Sequence, residues 1–296
     1  MIGLQGWLIT HDNCLDGATA GLVGEASGLT PIFVEPDRVV AGLDQITDNR
    51  PIYLADVSLK PEDWTSYSQR IRYVLDHHQS ALKLQGEPNV LIDQARSGAH
   101  LMYDYAVLQG WIMPTPAWER LCLGVERYDL WKPRHEWGQN INRLFHHLGY
   151  DWYRERFGLG FQPYNCQEGK VLSQVIIEEE RFIQAHLKTA IRYDYHLPYP
   201  LYGVRLQDEG PTNNICHTLI ERGAALVLVV KPDKRLSARS DARVDAARLM
   251  EDLFQGGGHA RAAGGRLNPD EDDNVSSLLG RIGDYLNGLS SPISQL

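Results

Sequence analysis

Asp76-His77-His78 closes the apolar run Ile71-Arg72-Tyr73-Val74-Leu75, which places a carboxylate and two imidazoles at the C-terminal edge of a predicted strand. In an open α/β sheet that edge is where ligands bind. Imidazole together with carboxylate suits divalent metal ions, and two adjacent histidines on an irregular turn can divide the work, one on metal and one on substrate. Two earlier runs end the same way: Trp7-Leu8-Ile9-Thr10 leads to His11 and Asp16, and Ile52-Tyr53-Leu54-Ala55 leads to Asp56. A single such tripeptide reads as a polar surface turn, whereas three strand ends carrying His and Asp read as a site.

A second group of chemical residues lies late in the chain, in Gly256-Gly257-Gly258-His259-Ala260-Arg261-Ala262-Ala263-Gly264. Glycines let the backbone approach an anion and their N–H groups can form an anion-binding nest, while His259 and Arg261 add donors. Arg239-Ser240 ends a predicted strand just before this cluster, and a guanidinium fork suits phosphate. Other polar residues are discounted. His146 and His147 face different sides of a helix, Trp131, Trp137 and Trp152 read as core anchors, and Glu178-Glu179-Glu180 reads as a solvated helix face.

The elements that must position these groups fall into two lobes. From residue 4 to about 108, strands at 6–10, 31–35, 52–57, 71–75 and 90–92 alternate with helices at 17–26, 61–69 and 97–108. Such alternation predicts a mostly parallel, Rossmann-like sheet with helices on both faces. Helices follow over 115–126, 135–148 and 152–157, and 167–193 reads as one long linker helix. A smaller α/β unit then begins near His196, with strands at 201–206, 224–230, 235–239 and 265–267 and helices at 214–222, 244–254 and 275–287. The expected division is 1–150 for the metal-binding lobe, 151–195 for the linker, 196–290 for the second lobe and 291–296 for a tail.

Composition narrows the function classes. With 296 residues and 43% hydrophobic content the chain can bury a substantial core. Its longest apolar stretch, Ala224 to Val230, is seven residues, far below the ~20 of a membrane span. The N-terminal segment lacks a basic n-region and a small-residue cleavage pattern, so the cytoplasm is expected. Cys14, Cys122, Cys166 and Cys216 show no CxxC spacing, which argues against a disulfide scaffold or structural zinc. A net charge of −9 argues against long duplex nucleic acid as a partner but leaves small phosphorylated ligands open.

Read in order, His11/Asp16, Asp56, Asp76-His77-His78 and Gly256–Gly264 resemble the DHH phosphoesterase family with its DHH-associated second domain. The resemblance runs from about residue 5 to 290. It implies a two-lobed fold, one or two Mn²⁺ or Mg²⁺ ions in the first lobe, phosphoester or phosphoanhydride hydrolysis, and a second lobe that binds the rest of the substrate. Carried over by residue, Asp56 is the bridging carboxylate, His77 a metal ligand, His78 the histidine facing the scissile phosphate, and Asp76 a support for its neighbours. His11, Asp16 and Asp129 complete the ligand set, with Glu126 an alternative to Asp129. The first motif departs from the family pattern: its first carboxylate falls on Cys14, with Asp12 and Asn13 the alternatives through a local shift. Arg239, Ser240, Gly257, Gly258, His259 and Arg261 are the implied substrate-binding residues. Length and plan are most similar to the branch that degrades short oligoribonucleotides, linear dinucleotides or 3′-phosphoadenosine 5′-phosphate. Small phosphoanhydrides and a catalytically degenerate nucleotide-binding protein are the alternatives, and the oligomeric state is open, a homodimer included.

Overall fold

The computed structural model describes residues 5–130, 132 and 136–290. The chain divides into two compact units, residues 1–175 and 176–296. In the first, β1 (Gly6–His11), α1 (Leu15–Ala26), β2 (Leu29–Val34), α2 (Val39–Asp44), β3 (Ile52–Ala55), α3 (Pro61–Tyr67), β4 (Ile71–Asp76) and β5 (Val90–Ile92) follow in sequence. Helices α4 (Gly98–Leu108), α5 (Pro116–Asp129) and α6 (Glu136–Phe157) come next, and α7 (Cys166–Lys188) runs across the boundary between the units.

All five strands of the first unit are parallel, in the order β2-β1-β3-β4-β5. The winding direction reverses between β1 and β3, which makes the C-terminal ends of those strands a topological switch point. Each strand feeds both faces of the sheet, because successive side chains alternate. Leu8, Tyr53, Ala55 and Leu75 pack into a core with residues of α1, α4, α5 and α6. Ile9, Ile52, Leu54 and Val74 pack on the opposite face with Val39, Leu43 and Trp64. Double coverage explains why Ile52–Ala55 is buried at every position.

Helix termini are set by local chemistry. The Ser97 hydroxyl accepts the amide of His100 at 3.3 Å and starts α4. Thr115 caps α5 in the same way through the amide of Trp118, and Pro116 follows at the first helical position. Gly149, at φ 82°, interrupts α6 where sequence reading expects two helices.

The second unit contains β6 (Ile191–Tyr193), β7 (Leu201–Arg205), α8 (Thr212–Glu221), β8 (Leu226–Val230), β9 (Arg235–Ser240), α9 (Ala246–Phe254), β10 (Gly257–His259), β11 (Ala262–Arg266) and α10 (Val275–Ser290). Its sheet order is β10-β11-β9-β8-β7-β6, with β7 and β8 parallel and the other pairs antiparallel. One face packs on α9 and α10, the other on α8 and the end of α7.

Three expectations are corrected. The long helix stops at Lys188, and Ile191–Tyr193 instead pairs with β7, because a strand lets this β-branched and aromatic segment extend the sheet. The predicted strand at 265–267 is β11, earlier and longer, and the glycine run before it is strand β10 rather than a loop. The short helix α2 went unread because six residues are too few to show a helical period. The tail 291–296, Trp131 and His135 lie outside the described residues.

Candidate metal centre

The first-unit residues converge at the switch point. Asp56 directly follows β3 and adopts the left-handed region at φ 60°, a conformation that Asp tolerates better than most residues. Its amide donates to the carbonyl of Leu75 at 3.1 Å, which locks the end of β3 to the end of β4. Gly98 sits directly over it: a Cβ at Gly98 would lie 2.5 Å from the Asp56 Cβ. A side chain there would separate α4 from the strand ends, so glycine is required for the close approach.

Asp16, in the first turn of α1, is buried and accepts the amides of Gly98 at 2.7 Å and Ala99 at 3.2 Å. The N-terminus of α4 thus holds this carboxylate with its orphan N–H groups. Gly17 is needed beside it, since a Cβ would fall 2.1 Å from the carbonyl oxygen of His11.

Nε2 of His77 is the focus of the arrangement. It lies 3.0 Å from Asp56 Oδ1, 3.6 Å from Asp16 Oδ2 and 3.6 Å from Asp129 Oδ2. Four elements therefore aim donors at one point: α1, the β3 end, the β4 end and the last turn of α5. The other Asp56 oxygen, Oδ2, is buried without a hydrogen-bond partner among the described residues and lies 3.6 Å from His11 Nδ1. His11, Cys14 and Asp56 offer ligand atoms all within 4.8 Å of one another, as do Asp16, His77 and Asp129. Asp56 consequently joins two donor groups, one through each oxygen.

Asp76 plays a different part. Its Oδ1 accepts the amide of His77 at 2.7 Å, the amide of His78 at 3.3 Å and Nδ1 of His78 at 2.7 Å. One carboxylate oxygen thereby fixes the turn and the tautomer of His78.

Electrostatics reflects the crowding of like charges. Burial pushes the Asp16 carboxyl well up, and Asp56 and Asp129 push it further. Asp129 is raised by burial and by Asp56. Asp56 goes the other way: burial would raise it, but the His11 and His77 imidazoles beside its two oxygens hold it well below the usual carboxylate range. For His77 burial favours the neutral ring, yet the surrounding carboxylates outweigh it and lift the imidazole to about 10. His11 is likewise raised despite burial, by Cys14 and Asp56. More carboxylate than imidazole in a buried space, with one carboxylate oxygen lacking a partner, fits a bound divalent cation.

Of the sequence alternatives, Cys14 rather than Asp12 or Asn13 stands with His11 and Asp56, because Asn13 turns the chain at φ 50°. The Asp12 carboxylate instead accepts the Asn13 amide. Glu126 belongs elsewhere. It pairs with His100 Nδ1 at 2.7 Å, Lys132 at 3.2 Å and Arg96 at 3.6 Å, a network around a buried carboxylate that the sequence pattern does not reveal. The Ser97 cap was its available signal, since it fixes which face His100 presents on α4.

In the second unit, Arg239, Ala262 and His259 lie in register across three antiparallel strands. Directly opposed residues share a face, so Arg239 and His259 flank the small Ala262. Arg239 donates to Asn213 Oδ1 at 2.7 Å. Ser240 spends its hydroxyl proton on the carbonyl of Ala260, and its amide on that of Arg261, so it pins the hairpin turn. Gly257 and Gly258 form no nest: they lie in β10, where successive N–H groups diverge. Gly258, at φ 136°, is needed for the pairing with β11. Arg261 is exposed in the turn between β10 and β11.

Known proteins share the fold and the C-terminal domain. Residues 211–287 match the family model of the DHHA1 domain. No curated protein matches the chain. Among solved structures the chain is similar to the DHH domain of a member of the s1p family of ribosomal proteins, at 16% identity over 95% of this chain and 86% of that one, with a TM-score of 0.66. It is similar to RecJ from Thermus thermophilus in complex with Mn²⁺, at 13% identity over 99% of this chain and 54% of that one, TM-score 0.60. The chain thus spans about half the length of RecJ. An exopolyphosphatase-related protein from Bacteroides fragilis matches at 13% identity over 98% of this chain and 94% of that one, TM-score 0.52. By its fold the chain is similar to solved DHH-domain structures, and its residues 211–287 match the DHHA1 domain.

Proposed function

We propose that this protein is a divalent-metal-dependent phosphohydrolase acting on phosphodiester or phosphomonoester bonds of short oligonucleotides or small nucleotides such as 3′-phosphoadenosine 5′-phosphate. The observation that carries the reading is the convergence on His77, whose Nε2 has oxygens of Asp16, Asp56 and Asp129 within 3.6 Å. These four residues would hold one ion, and His11, Cys14 and Asp56 a second. A set that mixes imidazole, carboxylate and thiol suits Mn²⁺ better than Mg²⁺. When bound, the ions supply Lewis-acid charge and a water acidic enough to serve as nucleophile near neutral pH.

The chain's own residues supply placement. Asp56, fixed by its backbone bond to β4, keeps the two donor groups at a set separation. Asp76 holds His78 by Nδ1 and so orients the ring, whose Nε2 is the proposed contact to a non-bridging phosphate oxygen. Arg239 and His259 are the proposed donors to a further substrate phosphate, with Arg261 contributing charge from the turn. The cytoplasm is the proposed compartment, a reading supported by four free thiols.

The test is Mn²⁺-dependent release of phosphate or mononucleotide from 3′-phosphoadenosine 5′-phosphate, di- to pentaribonucleotides, cyclic dinucleotides and polyphosphate. Release from short nucleotides, lost in Asp56→Ala, is the expected result. Cleavage of polyphosphate alone would move the protein to the small-anion reading that its exopolyphosphatase-related neighbour brings to mind. Silence across the panel with several metals would overturn the hydrolase reading.

A further inference from the structure

Beside the metal-centre residues lies a cavity of about 180 Å³, lined by His11, Cys14, Phe33, Phe145, His146 and Tyr150 among others. Its walls come from four places in the first unit: the β1 end and the loop after it, α1, β2 and the stretch of α6 around Gly149. Phe33 and Tyr150 meet edge to face, with ring centroids 4.7 Å apart. The Tyr150 hydroxyl is buried and makes no hydrogen bond among the described residues. The hydroxyl packs toward Gly21 of α1, so it is the Tyr150 ring that forms part of the wall.

The wall depends on close backbone approach. At Gly21 of α1 a Cβ would fall 2.8 Å from Cζ of Phe33 and 3.2 Å from the Tyr150 hydroxyl oxygen. Gly149 is itself part of the lining, and its φ of 82° breaks the helix immediately before Tyr150. His11 and Cys14 belong both to this cavity and to the donor group around Asp56.

Aromatic rings on one side and the polar groups of His11, Asp12, Asn13 and His146 around them, next to a phosphate-directed centre, match the chemistry of a nucleobase: a flat apolar ring with hydrogen-bonding edges. We infer that this cavity is a base subsite, taking the nucleobase of the nucleotide whose phosphate occupies the metal centre. Phe33, Phe145 and the Tyr150 ring supply the contact to the base. The inference rests on the proposed phosphohydrolase reading, which it deepens by making nucleotides, rather than base-free phosphates, the preferred substrate class.

Equilibrium binding tests it without any turnover. AMP and ribose 5-phosphate, which differ by the base, are titrated in Mn²⁺ into the full chain and into Phe33→Leu and Tyr150→Leu, whose folding is checked by thermal melting. Stacking one base on an aromatic side chain is worth roughly 5- to 150-fold in affinity. AMP is therefore expected to bind at least about fivefold tighter than ribose 5-phosphate in the unaltered protein, and this preference should collapse in whichever variants fold. Equal binding of the two ligands to the unaltered protein, or a preference that survives in a folded variant, would overturn the subsite. Base preference in a protein that hydrolyses nothing would keep the subsite and discard the hydrolase reading, whereas hydrolysis without base preference would do the reverse.

Discussion

Cys14 stands between His11 and Asp56, and burial together with the Asp56 charge pushes its thiol up to about 12. Without metal it is then roughly 10⁻⁴ ionised at pH 8. In chelator-treated protein at that pH, exposed Cys166 should be alkylated readily by iodoacetamide and Cys14 should not, as mass mapping would reveal. A carboxylate at this position would give a harder ligand set, so Cys14→Asp should raise the ratio of Mg²⁺- to Mn²⁺-supported activity. Asp76→Asn removes the charge that holds His78, and a loss of about 10- to 100-fold in kcat is expected with the fold intact. At this scale the strand-end residues were legible, because the end of a buried strand leaves little freedom in where its next residue goes. The choice of Cys14 over Asp12 was not, since it turns on one left-handed residue, Asn13. Nor was Asp129 over Glu126: three residues apart they share a helix face, and only the position of His100 claims Glu126.

The first turn of α4 is the element on which the centre depends. It binds Asp16 through two amides and lies against Asp56 with no room for a methyl group. Gly98→Ala should therefore cost about 1–3 kcal/mol in urea denaturation and weaken Mn²⁺ binding by calorimetry. Gly280, inside α10, offers the contrast: nothing lies within 4 Å of a Cβ there, so Gly280→Ala should stabilise by about 0.5–1 kcal/mol and leave metal affinity unchanged. The alternation of strand and helix made the parallel sheet legible. The β10–β11 hairpin was hidden because its glycines carry no hydrophobic alternation, and they pair through the backbone alone.

Over the whole molecule, the charge balance and the acid limit follow from sequence and packing together. A net charge of −9 should leave duplex DNA unbound at physiological salt, by filter retention, while short nucleotides still bind. Glu168, at the start of α7, accepts from Trp152 and Arg156 of α6 and from the Asn165 amide. Burial would raise its carboxyl, but the Arg156 guanidinium and the Asn165 amide hold it below its ordinary 4.5. The depressed value means that this cluster contributes fully above pH 4.5 and is lost as pH falls through the folded-state value. Glu168→Gln should lower Tm by about 2–4 °C at pH 7, and the gap should close on acidification below that window. The two-lobed plan was legible from the change of pattern near residue 196. The start of the second sheet was not, because Ile191–Tyr193 continues the polar and apolar rhythm of the helix before it.

His77 carries one more consequence. An imidazole surrounded by three carboxylates and titrating near 10 is a cation at neutral pH until a metal takes its place. Loading the protein should then acidify a weakly buffered solution, and the heat of Mn²⁺ binding should change with the ionisation enthalpy of the buffer. Metal uptake would be a proton exchange, weaker by a set factor for each unit the surroundings turn acid, so that acidity alone could set how much of the protein is metallated.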